Sequence, residues 1–168
     1  MSSERLEIFK SDLTVTPKTR EILLKVFRNH LTLYNQALKY LTDNPDISLK
    51  DFKKCVLEIT SKFEGEMVYP SLGTEHYYLY RKHKKNIKFQ KLVTSVQYLT
   101  FVVSDEKKFK FLKFDRQAKT VEITGNSLTM NYEGDLPELN PRKRNFVNIG
   151  YSSEEDKFKI SVFCAELD

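Results

Sequence analysis

The apolar residues of this chain change period along its length, and the order of those changes restricts the folds open to it. Ile22, Leu23, Val26, Phe27, Leu31, Tyr34, Leu38 and Leu41 recur at three- and four-residue intervals, the spacing of one helix face. Thr16-Pro17 supplies a capping side chain and a proline at the first helical position. The pattern predicts a helix over 17–42, broken by Asp43-Asn44-Pro45-Asp46. Ahead of it, Arg5 to Val15 carries β-branched and aromatic residues without helical period and reads as a strand.

Ser48 followed by Asp51 resembles a capping box with Asp in place of Glu. Phe52, Cys55, Val56, Ile59 and Phe63 then mark a second helix, ended by Gly65. Residues 68–73 read as a connector, and Thr74 as the cap of a third helix running to about residue 90. Beyond that the period falls to two, predicting strands at 97–103, 108–115, 119–124, 127–132, 145–152 and 157–167, with Gly125-Asn126 as a tight turn. In the last strand Phe158, Ile160, Val162 and Cys164 alternate with Lys157, Lys159, Ser161 and Phe163, so one face is core. Glu133–Asn140 is an acidic, proline-containing loop.

A lone first strand leaves an unpaired edge unless it joins the later sheet. The expectation is therefore an α+β chain: an antiparallel, barrel-like β domain from residues 1–15 and 91–168, with a three-helix subdomain, 16–90, inserted after the first strand. A chain of 168 residues accommodates that arrangement.

Charge is the next constraint. Between Tyr77 and Lys119 stand twelve lysines and arginines and only three acids, Asp105, Glu106 and Asp115. Residues 1–80 are balanced, 11 basic against 11 acidic, so the net +5 of the chain lies beyond them. On a helix, Arg81, Lys84, Lys85 and Lys88 form one stripe, where a solvated face would mix signs at those intervals. Lys82 and Lys91 extend the run, and Tyr77 and Tyr80 precede it as rings for core filling or for stacking. Lysines and phenylalanines then share Lys107–Phe114, where Lys108, Lys110 and Lys113 sit either on a binding sheet or on an edge strand guarded by lysine. Arg142, Lys143 and Arg144 follow Pro141 as a second exposed cluster. Clustered cations interleaved with flat rings suit a polyanion with π-faces, which is nucleic acid.

Other classes find less support. Cys55 and Cys164 lie far apart in apolar patterns and read as two buried thiols; His30, His76 and His83 form no ligand set with them. Glu154-Glu155-Asp156 reads as a turn, and no phosphate loop, nucleophile elbow or His–carboxylate pairing occurs. Neither enzymatic activity nor a metal or cofactor is expected. Met1 to Arg5 leads into an amphipathic segment rather than an apolar signal core, and no apolar run reaches membrane-spanning length, so a cytoplasmic protein without membrane contact is expected.

Asn29-His30-Leu31-Thr32-Leu33-Tyr34-Asn35-Gln36-Ala37-Leu38 resembles the helix that opens the recognition region of transposon-associated TnpB/OrfB proteins, relatives of type V CRISPR effectors. Ser48-Leu49-Lys50-Asp51-Phe52 is similar to the start of that family's next helix, with Phe for Leu, and Lys157–Val162 to the strand closing its wedge barrel. Tyr80–Lys91 falls where the family has a third helix, without its Gln-Ala-Leu stretch. The resemblance implies a wedge barrel with inserted helices that grips RNA, and no counterpart of the RuvC nuclease occurs in residues 1–168. By position it carries RNA contacts to Asn35, Arg81, Lys84, Lys85 and Lys88. It also implies a phage or mobile-element protein acting in a bacterial or phage-infected cell.

The expected function is non-catalytic binding of single-stranded or structured RNA with little sequence readout. DNA is a possible ligand, although the neutral charge of the first two helices argues against a helix-turn-helix regulator. The alternative is a protein-interaction module, such as a phage inhibitor or adaptor, whose basic face binds an acidic partner.

Overall fold

The computed structural model describes residues 5–62, 98–124, 128–152 and 154–166. Among them the elements run β1 (Leu6–Thr14), α1 (Pro17–Asp43), α2 (Leu49–Ser61), β2 (Tyr98–Val103), β3 (Leu112–Asp115), β4 (Thr120–Ile123), β5 (Leu128–Tyr132), β6 (Arg144–Ser152) and β7 (Lys157–Ala165). The expected third helix, from Thr74 to about residue 90, and the Gly125-Asn126 turn lie outside the described residues.

Both helix starts are capped by the residues that announced them. Thr16 Oγ1 accepts the Thr19 amide at 3.2 Å, and the Thr16 carbonyl accepts the Arg20 amide at 2.9 Å. Ser48 Oγ accepts the Asp51 amide at 3.2 Å, and the Asp51 carboxylate in the first turn complements the positive helix end. The helices share a core of Ala37, Leu38 and Leu41 from α1 with Phe52 and Val56 from α2. Cys55 and Cys164 are free and buried, and burial pushes the Cys55 thiol above its ordinary value.

The chain divides into two compact units. One is discontinuous, Met1–Leu23 with Gln97–Asp168, and the other is Leu24–Val96. The boundary therefore falls inside α1, whose first two turns belong with the strands.

Within the first unit one antiparallel sheet has the order β2-β6-β7-β1-β5-β4-β3. The first strand is central. It pairs with β7 from Leu6 to Leu13 and with β5 only at Leu13 and Thr14. Ile8 is an extra residue between Glu7, opposite Phe163, and Phe9, opposite Val162, a bulge that increases local twist. The sheet curls into a half-barrel, and β2 and β3, at opposite ends of the strand order, are joined by residues 104–111 alone. Its inner face is the core: Phe101, Val121, Met130, Val147, Ile160 and Val162 are all at most 1% exposed.

Residues 133–143 do more than connect. Tyr132 stands opposite Leu13, where β1 ends, whereas Asn145 stands opposite Val103 and Cys164 at the other end of the sheet. The connection must travel the length of the strands. It passes beside Phe9, whose Cε2 lies 3.6 Å from where a Gly134 Cβ would sit; Gly134 has φ +89°, the left-handed region that favours glycine. It buries Leu136 and Leu139. The expected acidic loop thus supplies two core side chains, three residues apart.

The expected strand at 108–115 begins only at Leu112. Asp105 is the reason. Its carboxylate accepts the Lys107 amide at 3.0 Å and its carbonyl accepts the Lys108 amide at 3.1 Å, closing a turn where the Lys/Phe alternation reads as a strand. No helix among the described residues is long and apolar enough to cross a membrane.

Candidate nucleic-acid interface

Tyr77, Tyr80, Arg81, Lys82, Lys84, Lys85, Lys88 and Lys91 lie outside the described residues. Asn35 is half-buried on α1. The remaining candidates, Lys108, Lys110, Lys113, Arg142, Lys143 and Arg144, all belong to the first unit.

Strand pairing brings the start of the 104–111 loop and the Arg142–Arg144 segment to one end of the sheet. Val103, the last residue of β2, pairs with Asn145 near the start of β6. Lys107, Lys108 and Lys110 follow Val103 in the 104–111 loop, while Arg142, Lys143 and Arg144 immediately precede Asn145. Asn145 is wholly buried, and its Nδ2 donates to the Val103, Asn140 and Lys143 carbonyls at 3.1, 2.9 and 3.2 Å. One amide therefore ties both basic segments together. Asn140 folds the second of them. Its side-chain oxygen accepts the Arg142 amide at 2.9 Å and its carbonyl the Lys143 amide at 3.1 Å, with Pro141 between them suited to the second position of the turn.

The fate of the three acids among these cations decides the local electrostatics. Asp105 is held by the Lys107 amide, as above. Asp115 Oδ1 accepts the Gln117 and Ala118 amides at 3.1 and 2.9 Å, shaping the β3–β4 turn. Glu106 grips Arg116 with both oxygens, one Nη2–Oε2 contact being 2.8 Å. Arg116 also donates to the Leu136 carbonyl at 3.0 Å and the Pro137 carbonyl at 2.8 Å. That clamp fastens the loop crossing the inner face, and Glu106 raises the guanidinium pKa above its ordinary value. Each acid is engaged in folding the segment, and none pairs with a lysine of the 104–111 loop.

Three cations of the region are paired: Arg116 as described, Lys143 with Glu166 at 3.2 Å, and Lys119 with Asp135 at a loose 3.9 Å. Lys107, Lys108, Lys110, Lys113, Arg142 and Arg144 form no ion pair with a described acid. Lys113 stands across from Glu122 in the β3–β4 register without closing a bridge. By contrast, the lysines of β7 are ordinary surface pairs, Lys157 with Asp12 at 3.7 Å and Lys159 with Glu155 at 2.7 Å. The lysine face of β7 is locally neutralised; of Arg142, Lys143 and Arg144 only Lys143 is.

The 104–111 loop also carries rings. Phe111 is 40% exposed and meets Phe109 edge-on at 5.7 Å. Phe109 meets Phe101 at 6.5 Å, and Phe101 is 1% exposed. Lys107, counted in the basic cluster but not singled out as a contact, joins the site with Phe111 and Asn145. Alternating Lys and Phe after Asp105 was the visible sign for the first two; Asn145 has no sign short of the strand register. Among the described residues no group of three or more His, Cys, Asp or Glu side chains could hold a metal ion.

No protein-family model matches the chain, and no curated protein matches it.

Proposed function

We propose that this chain is a non-catalytic RNA-binding protein that neutralises phosphates through a basic sheet-end rim and the Arg81–Lys91 run, with little sequence readout. The observation that carries the reading is the commitment of Asp105, Glu106 and Asp115 to backbone amides and to Arg116. Six cations of the first unit are left for an external anion: Lys107, Lys108, Lys110, Lys113, Arg142 and Arg144. Uncompensated positive potential gathered on one surface holds and steers a polyanion. The helical stripe belongs to the same reading through its sequence pattern, and the TnpB/OrfB wedge resemblance favours RNA as the polyanion.

The test is a gel-shift and fluorescence-anisotropy titration of the full chain with single-stranded RNA across salt concentrations. Six phosphate contacts give a log–log salt slope of roughly −4 on single strands. Replacing Lys107, Lys108 and Lys110 with Glu, and separately Arg81, Lys84, Lys85 and Lys88 with Glu, should each weaken binding steeply and leave the melting temperature within a few degrees. No binding by the parent protein refutes the reading. Capture of polyglutamate with no RNA or DNA shift would favour an acidic protein partner instead.

A further inference from the structure

We infer that the 104–111 loop is a stacking step for one unpaired base of an RNA strand, with Phe111 as the contact ring and Lys107, Lys108 and Lys110 holding the adjoining phosphates. This rests on the RNA-binding reading and narrows it to single strands, because a base in a duplex has no free face to offer.

The ring is exposed yet held. Single exposed apolar side chains are common on protein surfaces, and Leu6 and Leu57 are more exposed than Phe111. What distinguishes Phe111 is its backing. Phe109 stands behind it and Phe101 behind Phe109, each pair edge-to-face, so the exposed ring ends a ladder rooted in the core. Its backbone is secured on both sides. The Phe111 carbonyl accepts the Thr124 amide at 3.0 Å, and the Lys110 carbonyl accepts the Thr124 hydroxyl. A ring positioned in this way loses little freedom on binding. Leu6 and Leu57 lack the second requirement, a flat π surface among free cations. In the same loop as Phe111 the three lysines are exposed and form no ion pair with a described acid.

The geometry also assigns the division of labour. Lysine ammonium groups meet phosphates of single and double strands alike, whereas the ring can engage only an unstacked base. Discrimination between the two forms of RNA should therefore reside in Phe111 and gross affinity in the lysines.

The experiment titrates the full chain into a single-stranded RNA carrying one 2-aminopurine, into the same strand annealed as a duplex, and into DNA of the same sequence. The parent should change the 2-aminopurine fluorescence of the RNA strand. Phe111→Ala should bind that strand about fivefold to tenfold more weakly, lose the fluorescence change, and bind the duplex as the parent does. Phe111→Trp should retain both the affinity and the fluorescence change, which separates loss of the ring from loss of the fold. If the parent binds RNA and Phe111→Ala matches it in affinity and fluorescence, the stacking step is overturned while the RNA-binding reading stands. If the parent binds no RNA, both fall. Tighter binding of the DNA strand overturns the assignment to RNA.

Discussion

Replacing Arg116 with Ala should loosen the half-barrel from inside while leaving every rim lysine in place. The guanidinium makes two contacts to Glu106 and one each to the Leu136 and Pro137 carbonyls. Its side chain is 31% exposed and that of Glu106 19%, so the pair is screened less than a surface bridge, though not sealed from water. Hydrogen bonds to charged groups contribute about 1.5–3 kcal/mol, and a carboxylate stripped of its partner loses that much again if it stays buried. Partial exposure lets Glu106 rehydrate, so about 2–3 kcal/mol of destabilisation is expected overall. For a chain of this size that corresponds to a fall of about 5–10 °C in melting temperature. The assay is urea unfolding of the parent, of Arg116→Ala, of Glu106→Ala and of the double variant, followed by hydrogen exchange at the Leu139 amide. That amide lies 3.5 Å from Glu106 Oε2 in the loop the clamp holds. The cycle should return a coupling energy of about 1–2 kcal/mol, and Arg116→Lys should recover little, since an ammonium cannot reach the carboxylate and two carbonyls in one plane. A single variant as stable as the parent, or a coupling energy of zero, would refute the clamp.

Two further outcomes follow from buried and exposed polar groups. The Tyr132 hydroxyl is buried with no hydrogen-bond partner among the described residues, and burial raises its pKa; Tyr132→Phe should therefore leave stability unchanged or raise it by up to ~1 kcal/mol in a thermal melt. Asp156 accepts from Tyr151 at 2.5 Å and Arg20 at 2.6 Å, which hold its carboxyl below the ordinary value of 3.8. Its contribution should be present above that value and lost as pH falls through the lower folded one. Asp156→Asn, which tolerates the φ of 52°, should flatten the acid limb of a pH–melting curve there.

The parts of this fold that were legible in the sequence are those decided by neighbours along the chain. Thr16 and Ser48 cap helices because a side-chain oxygen two or three residues away reaches a free amide. The β7 alternation is core on one face because strand geometry leaves no other choice. The central place of β1 was legible only as a need for a partner; that β7 and β5 flank it depends on pairings more than a hundred residues distant. The 104–111 segment misled because alternating Lys and Phe satisfies the strand pattern, while the competing turn is set by one Asp105 side chain and by Thr124, thirteen residues on. Leu136 and Leu139 gave a faint indication, two leucines in an acidic loop, but the clamp that fastens them needs Glu106 and Arg116 brought together by the sheet's curl. Of the candidate site, the cations were visible one by one; the meeting of the 104–111 loop's start with the Arg142–Arg144 segment was not, since it rests on the Val103–Asn145 register.

That union bears on why the charges persist. A chain that needs lysines only for solubility can place acids beside them, as β7 does with Asp12 and Glu155. In the segment from Asp105 to Lys119 the same chain employs all three of its acids elsewhere. Asp105 and Asp115 each stop a strand and start a turn, and Glu106 secures the loop that fills the inner face. An Asp in either turn is worth more than an Asn or Ser only modestly, so the carboxylates are not there to balance charge, and further acids could have been placed on exposed positions such as Gln117 at little structural cost. Their absence leaves Lys107, Lys108, Lys110, Arg142 and Arg144 on the two segments that meet at Asn145, and Lys113 on β3, without an ion pair to a described acid. Repulsion among like charges opposes folding slightly and is relieved when an anion binds. Under the proposed reading, the hydrogen bonds that already fix the Arg142–Arg144 segment would let more of the energy of meeting a phosphate chain go into affinity than into ordering that loop.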